Sequence, residues 1–567
     1  MRAHSKCRVT KRYRAHQVTA LAIALLLAAS ACTSTDTDKK GSGDATSTAT
    51  GAASQTAPAG GNVTFTSAVP GVAADLDGGV YKGDPTRWLG FERGGQLLTY
   101  DAASLPGAGC DALATATDLK GEVAKSWEVS NGGHTITMHL RDITSPYGNK
   151  VTANDVKWTF DRTLALKDFA SSLLTTIARY DPKNPVTVID DNTFQLNILS
   201  PGSVDLAALT WYGLSIIDST EAKKHATADD PWATAWLKDN SASFGPFTAS
   251  GSDMVSTQQV LLHANPGYSL PRGNVSDLLL KAVPDAATRT QLLLSGQVDD
   301  ARSLSYQDYK KLSGENGIDV KSCASANRVM LILNQKDKRF ADPRVREAIS
   351  LAVNRQALVD GAYFGFAKPA LTGLSQNYGF KILPDNEYKL DPAKAKDLLS
   401  QAGYPDGFSF TITYSPTRPG PEAEQLAILL KSQLAAIGLK VDLKVIPGAT
   451  QFSDAFQQSQ YQGLLFLEPP AIADPYYSMV LYNAPGAFQN TFGYNNPEYT
   501  TLLEKMRTTS PGPARDQLIS QVADFIAKDN PVIYLVDQEF VHAFSSKVSW
   551  YVNAPNGELH VVNMSVK

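Results

Sequence analysis

Helix and strand patterns alternate from Asn62 to the end of the chain, and this order constrains the fold more than any other feature of the sequence. In the segment HTITMHLRD (134–142), the side chains of Ile136, Met138 and Leu140 fall on one face, as in a half-buried strand. A helix pattern follows it, and similar helix-then-strand units recur without a fixed repeat. Such units form sheets that are covered by helices, so we predict an α/β fold.

Three of the predicted helices carry their own start signals. Thr152 and Asp155 form a capping box, so the first of these helices should begin at Ala153. The other two begin with an aspartate N-cap followed by proline, whose missing N–H costs nothing in the first turn: Asp342-Pro343 and Asp391-Pro392. These local signals predict helix boundaries before any tertiary contact is considered.

Residues 1–31 have the composition of a secretory signal. Six cations and no acid precede an apolar stretch at 18–31, which is too short to span a bilayer as a helix, because a span needs about 20 residues. Ala29-Ser30-Ala31-Cys32 then resembles the cleavage box of bacterial lipoproteins, with alanine where that box usually has leucine. The resemblance implies that Cys32 carries a diacylglycerol once the leader is removed.

The segment 33–61 separates Cys32 from the first strand pattern and consists mostly of Ser, Thr, Gly and Ala. It has too few bulky apolar side chains to order itself by burial. A flexible coil of this length has a root-mean-square reach of roughly 30 Å. We therefore predict a tether that holds a folded domain close to a membrane surface.

Composition narrows the class of protein further. After residue 31 the chain has 46 basic and 56 acidic residues, so it lacks the positive balance that is typical of nucleic-acid-binding proteins. No later apolar run is long enough to span a membrane. The remaining segment, 62–567, is too long for a single hydrophobic core, and we expect two or three domains.

Motifs for catalysis and metal binding are missing from the sequence. It contains no HExxH, P-loop, GxSxG or CxxC motif, and its histidines are scattered, so we predict neither an enzyme nor a metal or cofactor site. Cys110 and Cys323 are the two cysteines left beyond the leader and Cys32. An even pair in an oxidising compartment favours a disulfide, with two separate buried thiols as the alternative.

Five segments, in order, resemble the family 5 extracellular solute-binding proteins, which are the oligopeptide-, dipeptide- and nickel-binding proteins of ABC importers. The segments are GEVAKSWEVSNGGHTITMHLRD with GNKVTANDVKWTFDR, HANPGYSLP with AVPDAATRTQLLLSGQVDDA, LNQKDKRFADPRVREAISLAVNRQALVDGAYFGFAKPA, AKDLLSQAGYPDGF and TFGYNNPEYTTLLEKM. Single segments are moderately specific, but five in the same order are very specific. The resemblance covers essentially all of 62–567.

The resemblance implies a two-lobed fold of the periplasmic-binding-protein type, with the ligand cleft between the lobes. The first lobe would comprise about 62–327, including an inserted subdomain at about 95–205, together with a tail at about 530–567. The second lobe would comprise about 328–529. The chain would cross between the lobes twice, so the lobes could hinge shut on a ligand.

The same resemblance implies the function. The protein would be a lipid-anchored substrate-binding protein on the outer face of the cell membrane, or in the periplasm where the cell has an outer membrane. It would capture a peptide-like solute and deliver it to the permease and ATPase of an ABC importer. We expect a monomer that contacts the membrane only through its anchor.

The segment LLFLEPPAIADPYYSM departs from the family at the position that decides the ligand. In peptide-binding members, an aspartate in a stretch of the form G-W-x-A-D-x-x-D-P holds the α-ammonium of the peptide. Asp474-Pro475 matches the end of that stretch, but Ala471 occupies the anchor position and Glu468 the tryptophan position. One alternative for Glu468 itself is a solvated loop carboxylate. For the ligand, either Glu468 takes over as the ammonium partner, or the ligand has no free N terminus there. Ligands of the second kind would be N-blocked peptides, oligosaccharides or metal chelates.

Further candidates for the ligand site are inferred from position alone. They lie after the first strand, near the return to the first lobe, and beside the Asp-Pro pair, and each could also be a packing residue: Tyr81, Trp88, Trp211, Tyr212, Tyr476, Tyr477 and Asn490.

Two functions of other classes remain open from the residues. A secreted hydrolase on a lipoprotein tether would need a nucleophile–base pair or a carboxylate dyad, and neither stands out in the sequence. A receptor that signals through a partner, without importing its ligand, would share the same leader and scaffold.

Overall fold

The structure is a computed structural model, and it describes residues 63–79, 83–101, 110, 113–378, 387–550 and 559–567. Three sheets of four or more strands lie within the described residues, together with short strand pairs. Helices follow many of the strands in the chain, as the alternating sequence pattern predicts. The predicted α/β class is therefore confirmed.

The first sheet has eight strands and uses both ends of the described chain. Its central strand, Val63–Val69, is parallel to Val275–Ala282 on one side and to Asp300–Ala301 on the other. A short strand, Met254–Val255, pairs beside the main path. The strands along that path are, in order, Ile318–Cys323, Phe540–Ser545, Asp300–Ala301, Val63–Val69, Val275–Ala282, Gln259–Ala264 and Phe247–Thr248.

The second sheet has six strands. Ser409–Tyr414 is parallel to both of its neighbours, so the carboxyl ends of these three strands lie at the same edge. The strands in order are Ala367–Pro369, Ile533–Gln538, Arg328–Leu333, Gly463–Glu468, Ser409–Tyr414 and Lys440–Val445.

A third, antiparallel sheet of four strands lies within the range predicted for the inserted subdomain. Its strands in order are Ala124–Ser130, Thr135–Leu140, Thr193–Asn197 and Val186–Val188. The alternation in the second of these strands buries Ile136, Met138 and Leu140, as its pattern predicts. Two shorter pairs complete the described strands: Leu98–Tyr100 with Leu119–Gly121, and Val548–Trp550 with Ser565–Val566.

The predicted helix starts are confirmed. The helix at Ala153 begins with a capping box in which the Thr152 N–H donates to Asp155 Oδ2 over 2.8 Å. Asp342 and Asp391 cap their helices through backbone N–H groups of the first turn. The described helices of seven or more residues are Asp84–Arg93, Ala153–Leu166, Ala286–Leu294, Tyr306–Leu312, Pro343–Ala352, Pro392–Gln401, Ala423–Ala435, Ala449–Gln457, Pro475–Asn483, Pro497–Thr508 and Pro513–Asp529.

Two adjacent strand pairs carry the chain from the first sheet to the second and back. In the first sheet Ile318–Cys323 pairs with Phe540–Ser545, and in the second Arg328–Leu333 pairs with Ile533–Gln538, both antiparallel. The outgoing and returning chains therefore run side by side. This arrangement is a hinge of two strands, and we call the parts on either side of it the first and second lobes.

The crossings occur at residues 324–327 and at Glu539. Between them, the Gln538 N–H donates to the carbonyl oxygen of Asn327 over 2.9 Å. The return therefore lies beyond the predicted boundary near 530, because the chain first adds one more strand to the second sheet. All residues of that strand are buried, so its sequence lacks the alternation of apolar and polar residues that marks a half-buried strand.

A disulfide joins Cys110 of the first lobe to Cys323 at the hinge. Cys323 ends the strand that leads into the first crossing. The next residue, Ala324, donates its N–H to the carbonyl oxygen of Cys110 over 2.9 Å. The covalent bond and the hydrogen bond together hold Cys110 against the start of the crossing.

We expect the double substitution Cys110→Ala with Cys323→Ala to lower the free energy of unfolding of residues 33–567. The bond joins positions separated by 213 residues, and losing a native disulfide of long span costs about 2–5 kcal/mol. Urea denaturation followed by circular dichroism measures the difference. Equal unfolding free energies for the variant and the wild type would contradict the structural role of this bond.

Candidate ligand-binding site

The edge of the second sheet nearest the hinge carries a row of charged residues. Glu468 is the last residue of its strand, Arg328 lies opposite it in the next strand, and Asp537 lies opposite Arg328 in the one after that. In open α/β sheets, ligands bind outside the carboxyl ends of parallel strands. The row therefore lies where the fold places a ligand, and two carboxylates in it face one guanidinium.

Arg328 forms its ion pair with Asp537 and not with Glu468. Its Nε donates to Asp537 Oδ1 over 2.9 Å, and its Nη2 donates to the carbonyl oxygen of Thr372 over 2.7 Å. Asp537 also accepts a hydrogen bond from the Gln376 N–H over 3.1 Å. These two charges neutralise each other, which leaves the second carboxylate of the row in excess.

Glu468 is that second carboxylate, and its side chain is fully buried at 0 % exposure. Neither carboxylate oxygen has a hydrogen-bond partner among the described residues. The Ser478 hydroxyl lies close enough to lower the pKa of Glu468. The two groups are not hydrogen-bonded to each other, and the Ser478 hydroxyl has no hydrogen-bond partner among the described residues. Burial dominates and raises the pKa of Glu468 to about 7. A solvated loop carboxylate is thereby excluded.

Four buried tyrosines surround this carboxylate: Tyr378, Tyr477, Tyr482 and Tyr534. Burial raises the pKa of each hydroxyl, and the negative charge of Glu468 raises it further. All four hydroxyls therefore stay protonated near neutral pH and can donate hydrogen bonds. The Tyr378 hydroxyl has no partner among the described residues, so it is available to a ligand.

Arg418 supplies a positive charge at the same edge of the sheet. It lies in the loop after the strand Ser409–Tyr414, and its Nε donates to the carbonyl oxygen of Leu467 over 2.9 Å. Its guanidinium carbon lies 4.2 Å from the ring centroid of Phe466. Its charge lowers the pKa of Glu468, but within the described chain no carboxylate forms an ion pair with it. The site thus holds an acid and a cation that do not neutralise each other directly.

The Asp-Pro pair that ends the motif has a structural role. Asp474 is the N-cap of the helix Pro475–Asn483 and accepts hydrogen bonds from Tyr476 N and from Arg515 Nη2, both over 2.8 Å. Ala471, at the anchor position of the family, is buried and offers only a methyl group. Within this segment and its strand, Glu468 is therefore the carboxylate left to serve a ligand.

The structure brings Tyr477 to the site and directs Tyr476 elsewhere. After burial, the largest influence on the pKa of Tyr477 is the charge of Glu468, whereas the largest on the pKa of Tyr476 are the charges of Arg507 and Arg179. Tyr476 is nearly fully buried. Successive residues of a helix are about 100° apart around its axis, so the two consecutive tyrosines of Pro475–Asn483 face different surroundings.

The other positional candidates have packing partners. Trp88 belongs to the core of the first lobe, and Trp211 and Tyr212 pack with Phe91, with ring centroids 5.8 Å and 5.2 Å from it. Asn490 donates to the carbonyl oxygens of Ala484 and Tyr494. Because its amide is used to hold its own loop, we remove Asn490 from the ligand-site hypothesis.

Tyr81 and Cys32 lie outside the described residues. Six residues of the site were not among the sequence candidates: Arg328, Tyr378, Arg418, Tyr482, Tyr534 and Asp537. Arg418 could have been found, because it follows the alternating segment SFTITY, which forms a strand, and the carboxyl ends of parallel strands meet at one edge. Nothing local distinguishes Tyr378, which reaches the site only through tertiary packing.

Neither a metal site nor a membrane-spanning helix is found among the described residues. No group of three or more His, Cys, Asp or Glu residues in that part of the chain is arranged to hold a metal ion. None of its helices combines the length and the apolar character that crossing a membrane requires.

Comparisons with known proteins agree with this architecture. The glutathione-binding protein GsiB of Shigella flexneri is 26 % identical over 458 residues, covering 77 % of this chain and 84 % of that protein. The probable D,D-dipeptide-binding periplasmic protein DdpA of Escherichia coli K12 is 27 % identical over 444 residues, covering 77 % and 83 %.

Solved structures show the same two-lobed fold. The periplasmic binding protein DppA of Helicobacter pylori, in complex with the peptide STSA, superposes with a TM-score of 0.76 at 21 % identity, covering 89 % of this chain and 98 % of that one. The dipeptide-binding protein of Pseudoalteromonas sp. SM9913, in complex with Met-Leu, gives 0.77 at 18 % identity, covering 89 % and 100 %.

A family description, bacterial extracellular solute-binding proteins, family 5 Middle, matches residues 118–490, which include the inserted sheet, the first crossing and Glu468. That match spans more than half of the chain. The chain belongs to the family 5 extracellular solute-binding proteins of bacteria.

Proposed function

We propose that this protein is the substrate-binding protein of an ABC importer and that it captures a short peptide-like solute with free termini. One observation carries the proposal: Glu468 is a fully buried carboxylate without a hydrogen-bond partner at the ligand edge of the second sheet. The protein performs no chemistry on the solute, and the ligand stabilises the closed arrangement of the lobes by binding it better than the open one.

An ammonium group is the ligand feature that suits Glu468. A buried charge without a partner is costly, and an ammonium supplies both the opposite charge and three N–H donors. The tyrosine hydroxyls around Glu468 can share those interactions, since phenol oxygens also accept hydrogen bonds. Glu468 thus takes over the task of the missing aspartate, from a position earlier in the same segment.

A carboxylate is the matching feature on the other side of the ligand. Arg418 is only partly exposed and has no ion-pair partner among the described side chains, although one of its N–H groups is held by Leu467. Arginine binds carboxylates through paired N–H donors. A solute with both an ammonium and a carboxylate would satisfy Glu468 and Arg418 together, as a free amino acid derivative or a short peptide does.

The named ligands of relatives support this class of solute. Glutathione, a D,D-dipeptide and Met-Leu are the ligands in the names of three similar proteins. Another protein of this fold is described with agropinic acid, and another with a nickel–histidine complex, so the scaffold also accepts other small molecules. N-blocked peptides, oligosaccharides and chelates are therefore kept as arms of the binding test.

The N-terminal segment supports placement at the membrane. A lipid on Cys32 and the tether that follows would hold the domain near its permease while letting it turn. Without such an anchor, a receptor outside the cell would diffuse away from the permease. We propose delivery from this position to the permease and ATPase of the importer.

Binding tests the ligand proposal directly. We expect wild-type residues 33–567 to bind Met-Leu in calorimetry and to lose roughly 100-fold in affinity for N-acetyl-Met-Leu, because the buried acid then lacks its cation. Glu468→Gln should lose a similar factor for free Met-Leu and little more for the acetylated form. Likewise, Arg418→Gln should lose a similar factor in affinity for free Met-Leu and little more for Met-Leu amide, which lacks the carboxylate. Unchanged affinity of Glu468→Gln for Met-Leu, or wild-type binding restricted to acetylated peptides, oligosaccharides or metal chelates, would contradict the proposal.

Stability separates a binding role of Glu468 from a folding role. Because its pKa is raised from 4.5 to about 7, the ionised carboxylate destabilises the folded state as pH rises through this interval, by about 3 kcal/mol at the plateau. Glu468→Gln should therefore gain stability relative to the unliganded wild type between pH 4 and pH 8 in urea titrations. Asp537→Asn is the matched control and should destabilise, because it breaks the pair with Arg328. A loss of stability in Glu468→Gln at pH 8 would show that this carboxylate serves the fold.

The anchor can be tested in a bacterial host that processes lipoproteins. The full chain should fractionate with membranes, and Cys32→Ala should move it to the medium or periplasm once its leader is cleaved, because the acyl chains that anchor it are then missing. Immunoblots of membrane and soluble fractions report the distribution. Membrane retention of Cys32→Ala in salt-washed fractions would be evidence against lipidation at this residue.

A further inference from the structure

The segment that follows Glu468 in the second lobe is hydrogen-bonded to the first lobe at Ala473. The Ala473 N–H donates to the Tyr100 hydroxyl oxygen over 3.0 Å, and its carbonyl oxygen accepts from the Ala116 N–H, also over 3.0 Å. Tyr100 and Ala116 lie in and beside the strand pair Leu98–Tyr100 with Leu119–Gly121. Both backbone hydrogen-bonding groups of this residue are thus satisfied by the opposite lobe.

The next residue is tied to the first lobe as well. Asp474 binds Arg515 Nη2 at 2.8 Å, and the same nitrogen donates to the Ser203 Oγ over 2.8 Å. Ser203 also donates its N–H to the carbonyl oxygen of Arg507 over 3.1 Å. Two consecutive residues next to the ligand edge therefore connect the lobes away from the hinge.

Burial gives the Tyr100 bond its weight. Ala473 is 2 % exposed, so its N–H has no water to replace the phenol oxygen while the lobes are together. Burial also raises the pKa of Tyr100 to about 12, so the hydroxyl keeps its proton. When the lobes separate, water can hydrogen-bond to both groups. The Tyr100–Ala473 hydrogen bond is therefore specific to the closed arrangement.

We propose that the Tyr100 hydroxyl is a positioning group for solute capture, which holds the segment after Glu468 against the first lobe and so favours the closed arrangement. The inference rests on the proposed function, because the ligand is held in the cleft that this contact closes. Tyr100 need not touch the solute. It acts because apparent affinity depends on the population of the closed state.

Tyr100→Phe tests this role, since it keeps the ring and removes only the hydroxyl. Tyr309→Phe is the matched control: the Tyr309 hydroxyl accepts from the backbone N–H of Leu304 over 3.2 Å, but both residues lie in the first lobe. Each substitution leaves one buried N–H unsatisfied. We expect Tyr100→Phe to bind Met-Leu about tenfold more weakly, mainly through faster dissociation, and Tyr309→Phe to bind it like the wild type.

A distance measurement distinguishes closure from general destabilisation. Spin labels on Lys125→Cys and Lys431→Cys, which are exposed positions on the two lobes, report the inter-lobe distance distribution in unliganded protein and with saturating Met-Leu. Tyr100→Phe should shift both distributions toward longer distances, and Tyr309→Phe should shift neither. Distributions that are identical in Tyr100→Phe and the wild type would overturn the proposal. If the wild type fails to bind Met-Leu, the dipeptide part of the proposed function fails, while the unliganded distributions still decide the role of Tyr100.

Discussion

The pairing of two strands across the hinge is the interaction on which the rest of the structure depends. The chain leaves the first sheet after Ile318–Cys323 and enters the second as Arg328–Leu333. It returns from Ile533–Gln538 of the second sheet to Phe540–Ser545 of the first, and in each sheet the outgoing and returning strands pair with each other. Because these strands are hydrogen-bonded within both sheets, each lobe can move as a unit while the few residues between them absorb the change. The same crossing places Arg328 and Asp537 at the inner edge of the second sheet, where they hold their charges beside Glu468.

Glu468 illustrates how a binding site can oppose the stability of its own fold. A protein interior selects against an unpaired carboxylate, and local strain or unfavourable charge persists where the surrounding structure enforces it. Here the strand pairing with Arg328 enforces the position, and the ion pair with Asp537 removes the cation that would otherwise neutralise it. Under the proposed function, this unfavourable charge is part of the attraction for the cationic group of the ligand.

Much of the fold could be predicted from the sequence, because its signals are local. The capping box at Thr152, the Asp-Pro helix starts and the alternation in HTITMHLRD each depend on neighbours within one element, and each is confirmed. The return crossing was placed too early, since the buried strand Ile533–Gln538 has no period of two to mark it. Which lobe that strand joins depends on which sheet offers it a neighbouring strand, and the local sequence does not specify this.

The site was predicted less completely, for a related reason. Glu468 could be found because it stands in a motif with fixed spacing, and the departure at Ala471 drew attention to it. Trp211 and Tyr212 were chosen from their proximity to a boundary in the sequence, but in the structure they pack with Phe91. Arg418, Tyr378 and Tyr100 come from three separate segments of the chain. Only folding brings them near Glu468 or the segment that follows it.

The way in which the first sheet is assembled also bears on when this chain can fold. Its central strand, Val63–Val69, comes from the start of the described chain, while Phe540–Ser545 comes from near the end. Contacts between such distant segments form late, because a long loop must close before they contribute. A nascent chain of this design therefore lacks a complete first sheet until its last strand is available.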